Sequence, residues 1–123
     1  MPFKFEKLKI WNFALELSGE ISEMVKGFPK EELFILTSQI KRAADSVVLN
    51  IAEGSTLHTN TEFRRFLVIA NRSALEVVAC FYLSRQRGFI DESTFADKYA
   101  KYEKLIAMIQ ALIKTLGDDA ANK

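Results

Sequence analysis

Apolar residues recur along this chain in steps of three and four, the spacing that gathers side chains on one face of an α-helix. The densest case is Leu36 to Gly54, LTSQIKRAADSVVLNIAEG. At about 100° per residue, Leu36, Ile40, Ala43, Ala44, Val47 and Ile51 share a face. A second line runs beside it: Gln39, Arg42, Ser46, Asn50 and Glu53, within a strip roughly 80° wide. Lys41 and Asp45 supply ordinary outward charge, with Leu49 on their side. A helix so poor in solvated charge is expected to be covered on more than one side. Its polar strip reads in two ways. It is a half-exposed rim with Arg42 and Glu53 reaching into water, or a polar seam that fixes how this helix meets another helix or another subunit. Arg42 and Glu53 are about 16 Å apart along a helix and cannot pair with each other. The seam reading therefore gives Arg42 a carboxylate partner on another helix or another subunit.

The same spacing predicts three more helices, so the expected spans are 4–26, 30–54, 62–87 and 92–116. In the first, Ile10, Ala14, Leu17, Ile21, Met24 and Phe28 form a bundle seam widened by Leu8, Trp11 and Leu15, and Glu16, Glu20 and Glu23 form a solvated acidic edge. Gly27 is expected to take the left-handed cap before Pro29, which cannot continue the ladder. Whether residues 30–36 are continuous with the second helix stays open, because Thr37 or Ser38 can cap a fresh start. Gly54 and Ser55 weaken that helix, and STLHTNT (55–61) reads as a loop, or as a frayed end and a new cap.

The third helix lines its core side with Phe63, Phe66, Leu67, Ala70, Ala74, Val77, Val78 and Phe81. Ile69, Leu75, Cys80, Tyr82 and Leu83 fall outside that stripe, more apolar surface than one packed face needs. Gly88 closes it, with Phe89 and Ile90 as the accompanying apolar contact. Asp91 is the expected N-cap of the fourth helix, in which Phe95, Tyr99, Tyr102, Ile106, Ile109, Ile113 and Leu116 repeat as a heptad ended by Gly117. DDAANK follows as a frayed polar tail. The fold class is all-α: an antiparallel up-and-down four-helix bundle forming one domain over 1–123.

Composition narrows the function classes. The chain has 123 residues, a net charge of +1 and a single cysteine, with a pI of about 7.8. There is no global basic field for nucleic acid and no acidic tail. Cys80 lies in the run ALEVVACFYL and reads as an inert core thiol. No uninterrupted apolar stretch is long enough to span a bilayer, and MPFKFEKLK lacks a secretory apolar core. A cytoplasmic protein without membrane contact is expected.

Several phrases carry a resemblance: FPKEELFILTSQIKRAADSVVLNIAEG, EFRRFLVIA, and RGFI before the last helix. Together they resemble the four-helix-bundle family of 23S rRNA intervening-sequence proteins, from about Leu8 to Leu116. The most specific part is Phe28-Pro29, Thr37-Ser38-Gln39, Arg42-Ala43-Ala44 and Asn50 through Gly54. The resemblance implies a small bacterial all-helical protein that forms a ring-like homopentamer, without established enzymatic activity. Some such proteins are encoded inside insertions in large-subunit rRNA genes. Basic relatives that accompany the reverse transcriptases of diversity-generating retroelements bind nucleic acid. This chain departs from the pattern twice. STLHTNT replaces a turn that usually carries a basic residue, which weakens a nucleic-acid role. Asn71-Arg72-Ser73 precedes a run more apolar than the usual acidic, Leu-rich one, which leaves oligomer contacts in place but alters their detail.

Little in the sequence supports catalysis. His58 is the single histidine, and no Glu-x-x-His pair accompanies it to build a helical metal site. Arg42, Asn50 and Glu53 read as a structural network ahead of a small polar site. No phosphate-cradling loop or nucleophile elbow is present. Arg64, Arg65, Arg72, Arg85 and Arg87, with Lys4, Lys7 and Lys9 at the N-terminus, are the candidate nucleic-acid contacts. Ordinary surface charge, balanced by the 16 acidic residues, is the competing reading. The ranking is an oligomeric, non-enzymatic interaction or adaptor protein, then a nucleic-acid-binding accessory, then an enzyme. The expected partner is the chain itself, as a homo-oligomer with a pentamer favoured, with RNA, DNA or another protein possible. No cofactor, metal or small-molecule substrate is expected.

Overall fold

The structure, a computed structural model, describes residues 3–117. It contains four α-helices: α1 (Lys9–Met24), α2 (Leu36–Ser55), α3 (Asn60–Gln86) and α4 (Glu92–Leu116). Tight 3-10 turns occupy Lys4–Lys7, Val25–Gly27 and Lys30–Glu32, and no strand occurs among the described residues. The DDAANK tail lies outside the described residues. Helix α1 packs on α2 and α4, and α3 packs on α2 and α4, so the four helices enclose one core.

The core follows from helical periodicity. On α3, Phe63, Leu67, Ala70, Ala74, Val77, Phe81 and Ser84 are buried in alternating steps of four and three. Ser84 fits this apolar line because its hydroxyl donates to the Cys80 carbonyl at 2.7 Å. Cys80, expected outside the core stripe, is buried beside it, and burial pushes its thiol pKa up to about 11. On α4, Phe95, Tyr102 and Ile109 are buried as the heptad implies, but Leu105 is fully buried too. Tyr99, Ile106, Ile113 and Leu116 are only half-buried. A helix wedged between two neighbours buries residues on both sides of its central line, and a heptad names only one of them.

Helix α2 is covered on two sides, as its lack of solvated charge implies. Besides the expected face, Thr37, Val48, Gly54 and Ser55 are buried. Ser55 remains helical, its hydroxyl donating to the Ala52 carbonyl at 2.8 Å. Gly54 marks a close approach to α3: a Cβ there would lie 2.8 Å from Phe66 Cβ and 2.9 Å from Phe63 Cδ1.

The helix ends depart from the expected spans. Residues 4–26 are not one helix. Leu8 is extended between the first turn and α1, at φ −81° and ψ 125°, and this lets Phe5 fold back onto Trp11 at 4.7 Å between rings. In a continuous helix those two residues would face different sides. Gly27 does not take a left-handed cap; positive φ among glycines is confined to Gly88 and Gly117 of the described residues. Phe28 must be extended before Pro29 while turning its ring inward. A 3-10 turn at Val25–Gly27 satisfies both, and it buries Val25 in place of Met24. Residues 30–36 are not continuous with α2. Neither Thr37 nor Ser38 caps it: the helix starts at Leu36, whose N–H reaches Glu32 Oε1 at 3.4 Å.

Helix α3 starts at Asn60, two residues before the expected 62, with Thr59 as its cap, whereas the Gly88 and Asp91 ends match the sequence. Thr59 Oγ1 accepts from the Glu62 N–H at 3.2 Å. Gly88, at φ 75°, donates to the Arg85 carbonyl, and Phe89 to the Ser84 carbonyl at 2.9 Å. This pair of bonds defines a Schellman cap. Asp91 Oδ1 accepts from the Thr94 N–H at 2.8 Å.

Helix α3 is long and apolar enough to cross a membrane, with a mean hydropathy of 1.6 in its best window. Its apolar run is interrupted by Asn71, Arg72 and Glu76, so it is not the uninterrupted stretch that the sequence expectation concerned. Here its apolar line packs into the core between α2 and α4.

Two glycines test the packing. Gly54→Ala forces its methyl into Phe63 and Phe66 and is expected to destabilise by about 1–3 kcal/mol. Gly19 lies in mid-helix, and a Cβ there would have nothing within 4 Å. Gly19→Ala is therefore expected to stabilise by about 0.5–1 kcal/mol. Urea unfolding of both variants checks the opposite signs.

Candidate functional site

The polar strip of α2 faces α3 and splits into three parts. At its centre, Ser46 Oγ and Ser73 Oγ lie 2.8 Å apart. Asn50 Nδ2 donates to the Ser46 carbonyl at 2.8 Å and to Ser46 Oγ at 3.0 Å. Ser46 Oγ thus accepts from Asn50 and shares one further bond with Ser73 Oγ, in which either hydroxyl can donate. All three residues are half-buried, so this centre is a seam between helices. At one end, the exposed Gln39 donates from Nε2 to Glu76 Oε2 at 3.4 Å. Arg42 and Glu53 behave otherwise: both are exposed, and neither makes an ion pair among the described residues. The expected carboxylate partner for Arg42 on another helix is absent among the described residues.

Arg42, Gln39, Ser46, Ser73 and Glu76 line an open groove of about 630 Å³ between α2 and α3. Phe34 and Ile35 stand at its mouth. Leu33, Phe34 and Ile35 are 54%, 89% and 57% exposed. Three consecutive exposed apolar residues are the largest departure from burial in the chain, and periodicity does not single them out.

A second apolar surface runs along α3 and α4. Val68, Leu75 and Tyr82, spaced by seven, are exposed on α3, and Tyr99 and Ile106 lie opposite on α4. Leu75, Val78, Tyr99, Ile106 and Ala107 line a hollow of about 300 Å³, with Glu103 and Gln110 at its rim. Leu83, one of the residues expected outside the stripe, is half-buried against the core instead.

The five arginines do not converge. Arg64 and Arg65 flank a shallow hollow with Thr61, Glu62 and Val68 at the start of α3. Arg65 lies over the Phe66 ring at 5.7 Å. Arg72 is exposed on the same side of α3 as Arg65, about 10 Å further along. Arg85 is committed elsewhere: its Nη1 bonds Glu92 at 2.8 Å, and its guanidinium covers the Phe95 ring at 3.8 Å. Arg87 faces Glu32 Oε1 at 3.6 Å. These last two hold the α3–α4 turn, and roughly 30 Å of helix separates Arg65 from Arg85. Lys4, Lys7 and Lys9 are exposed. His58 is exposed between α2 and α3, and no group of three His, Cys, Asp or Glu side chains suited to a metal forms among the described residues.

One charged cluster is not the solvated edge that the sequence implies. Glu20 Oε1 accepts from Lys98 Nζ at 2.7 Å and from Lys101 Nζ at 2.9 Å, joining α1 to α4. Asp97 Oδ2 lies 3.4 Å from both ammonium groups. Partial burial pushes the Glu20 carboxyl up, but the two lysines outweigh it and hold it below its ordinary range. Glu16, Glu23 and Asp91 share an open groove with this pair.

With this geometry in hand, comparisons with known proteins place the fold. Residues 6–111 match the family described as 23S rRNA-intervening sequence protein, and the chain belongs to that family. It is similar to a crystal structure of a protein of unknown function from the S23 ribosomal protein family of Bacteroides thetaiotaomicron. Identity is 21%, the TM-score is 0.79, and the match covers 85% of this chain and 98% of that one. No curated protein matches.

The Glu20 cluster has a pH signature. Its folded pKa lies below the unfolded value, so its stabilisation is complete above the ordinary carboxylate value of 4.5 and is lost as pH falls through the depressed folded value. Glu20→Gln is expected to lower stability by about 1 kcal/mol at neutral pH. The gap to the parent should close as pH falls through the depressed folded value, below the ordinary carboxylate range. Thermal melts of both proteins across the acid range check this.

Proposed function

We propose that this chain is a non-enzymatic interaction protein that works as a homo-oligomer, a ring of five subunits being favoured, in the cytoplasm. Each subunit is an up-and-down bundle with antiparallel neighbours. Support for that arrangement comes from Gly54 meeting Phe63 and Phe66 while Gln39 meets Glu76, and from Asn60 reaching the Leu116 carbonyl. The observation that carries the oligomer is the exposed apolar surface: Leu33-Phe34-Ile35 on one side, and Val68, Leu75 and Tyr82 on another. Surfaces of this kind mark protein contacts. Family membership agrees with the reading. The assembled ring would present several copies of one polar surface to a partner, which suits an adaptor.

A second reading, a nucleic-acid accessory, rests on Arg65 and Arg72, which share the outer side of α3 and make no ion pair among the described residues. Repeated around a ring they form a charged band.

Light scattering coupled to gel filtration is expected to report several times the 14.0 kDa chain mass at micromolar concentration. A stable monomer would remove the oligomer. For the second reading, binding to structured RNA at low salt should fall steeply as salt rises, and Arg65→Glu with Arg72→Glu should weaken it. An intact oligomer that binds no RNA leaves the adaptor reading alone.

A further inference from the structure

We infer that neighbouring copies of this chain join head to tail, with Phe34 of one copy seated in the α3–α4 hollow of the next and Arg42 of the first paired with Glu103 of the second. The inference rests on the oligomer proposed above and names its contact.

Phe34 is 89% exposed at the entrance to α2, the extreme value in the core-forming residue classes. It is an apolar knob without a hole in its own chain. The hollow between α3 and α4 is a hole without a knob. Leu75 and Val78 of α3 wall it on one side, and Tyr99, Ile106 and Ala107 of α4 on the other. Its volume of about 300 Å³ exceeds the ~150 Å³ that encloses a benzene ring.

Charge sets the pairing and its direction. Arg42 lines the same groove mouth as Phe34. Glu103 lines the rim of the α3–α4 hollow. Both are exposed, and neither has an ion-pair partner among the described residues. An aromatic knob with a cation beside it thus matches an apolar hole with a carboxylate beside it.

The knob lies on the α2–α3 side of α3, and the hole lies on its α3–α4 side. The two patches differ, so the contact is heterologous, and a two-fold dimer would leave one of each unfilled. A heterologous contact forms a ring where the rotation it imposes closes.

The test is a charge exchange read by light scattering on the full chain. Phe34→Ala, Arg42→Glu and Glu103→Arg should each convert the oligomer largely to monomer at micromolar concentration, with unchanged helical circular dichroism. All three positions are solvent-exposed in the subunit, so folding of the variants is expected. The double variant Arg42→Glu with Glu103→Arg should restore the parent mass. A monomeric parent would overturn the oligomer and this contact together. An oligomeric parent whose Phe34→Ala variant stays assembled would overturn the contact alone. So would dissociation by both charge variants without recovery in the double variant.

Discussion

The close approach of α2 to α3 constrains the rest of the subunit. Gly54 meets Phe63 and Phe66 at distances that leave no space for a methyl group. Ser46 and Ser73 touch through their hydroxyls. Ala43, Ala70 and Ala74 are buried along the same pair of helices. Small side chains at these points let the two axes come together, and Ile40, Val47, Ile51, Leu67 and Val77 pack in the core around them. A polar pair at that depth is acceptable because Asn50, Ser46 and Ser73 satisfy one another. With α2 and α3 fixed, α1 and α4 close the core with larger residues, Leu17, Ile21, Tyr102 and Leu105.

This arrangement separates structural polar groups from those left for contact. The centre of the α2 strip turns toward α3 and is consumed by it. Arg42 and Glu53, on the same strip, turn outward. The same division holds among the arginines. Arg85 and Arg87 stabilise a turn through Glu92 and Glu32, whereas Arg65 and Arg72 stay on the outer side of α3. Apolar residues divide similarly, since Cys80 joins the core and Leu75 and Tyr82 do not.

Much of the architecture is legible from local patterns. The four helices, the Asp91 cap, the Gly88 terminus with Phe89, and the two-sided burial of α2 all follow from periodicity and cap chemistry. Facts that depend on long-range geometry do not. Glu20 reads as part of a solvated edge because the lysines that hold it lie 78 and 81 residues away. Leu105 is fully buried although it sits off the heptad, since its burial depends on which neighbours flank α4. The Phe5–Trp11 contact breaks the first helix, and nothing in the local spacing reveals it. The exposure of Leu33-Phe34-Ile35 follows from where the Pro29 turn delivers the chain, and helical spacing does not reveal it. Of the candidate site, the Ser46–Asn50 portion is legible as a seam, and the lack of an ion-pair partner for Arg42 among the described residues is not.

If the α2–α3 contact is the constraint on which the subunit depends, it is the last part to open. Native-state hydrogen exchange on the full chain measures this directly. The account predicts that backbone amides of Ala43–Ile51 in α2 and Ala70–Val77 in α3 exchange only through global unfolding, while those of α1 and the second half of α4 open earlier. If the amides around Tyr102–Ile109 in α4 outlast those of α2, the α2–α3 contact is not what holds the fold together.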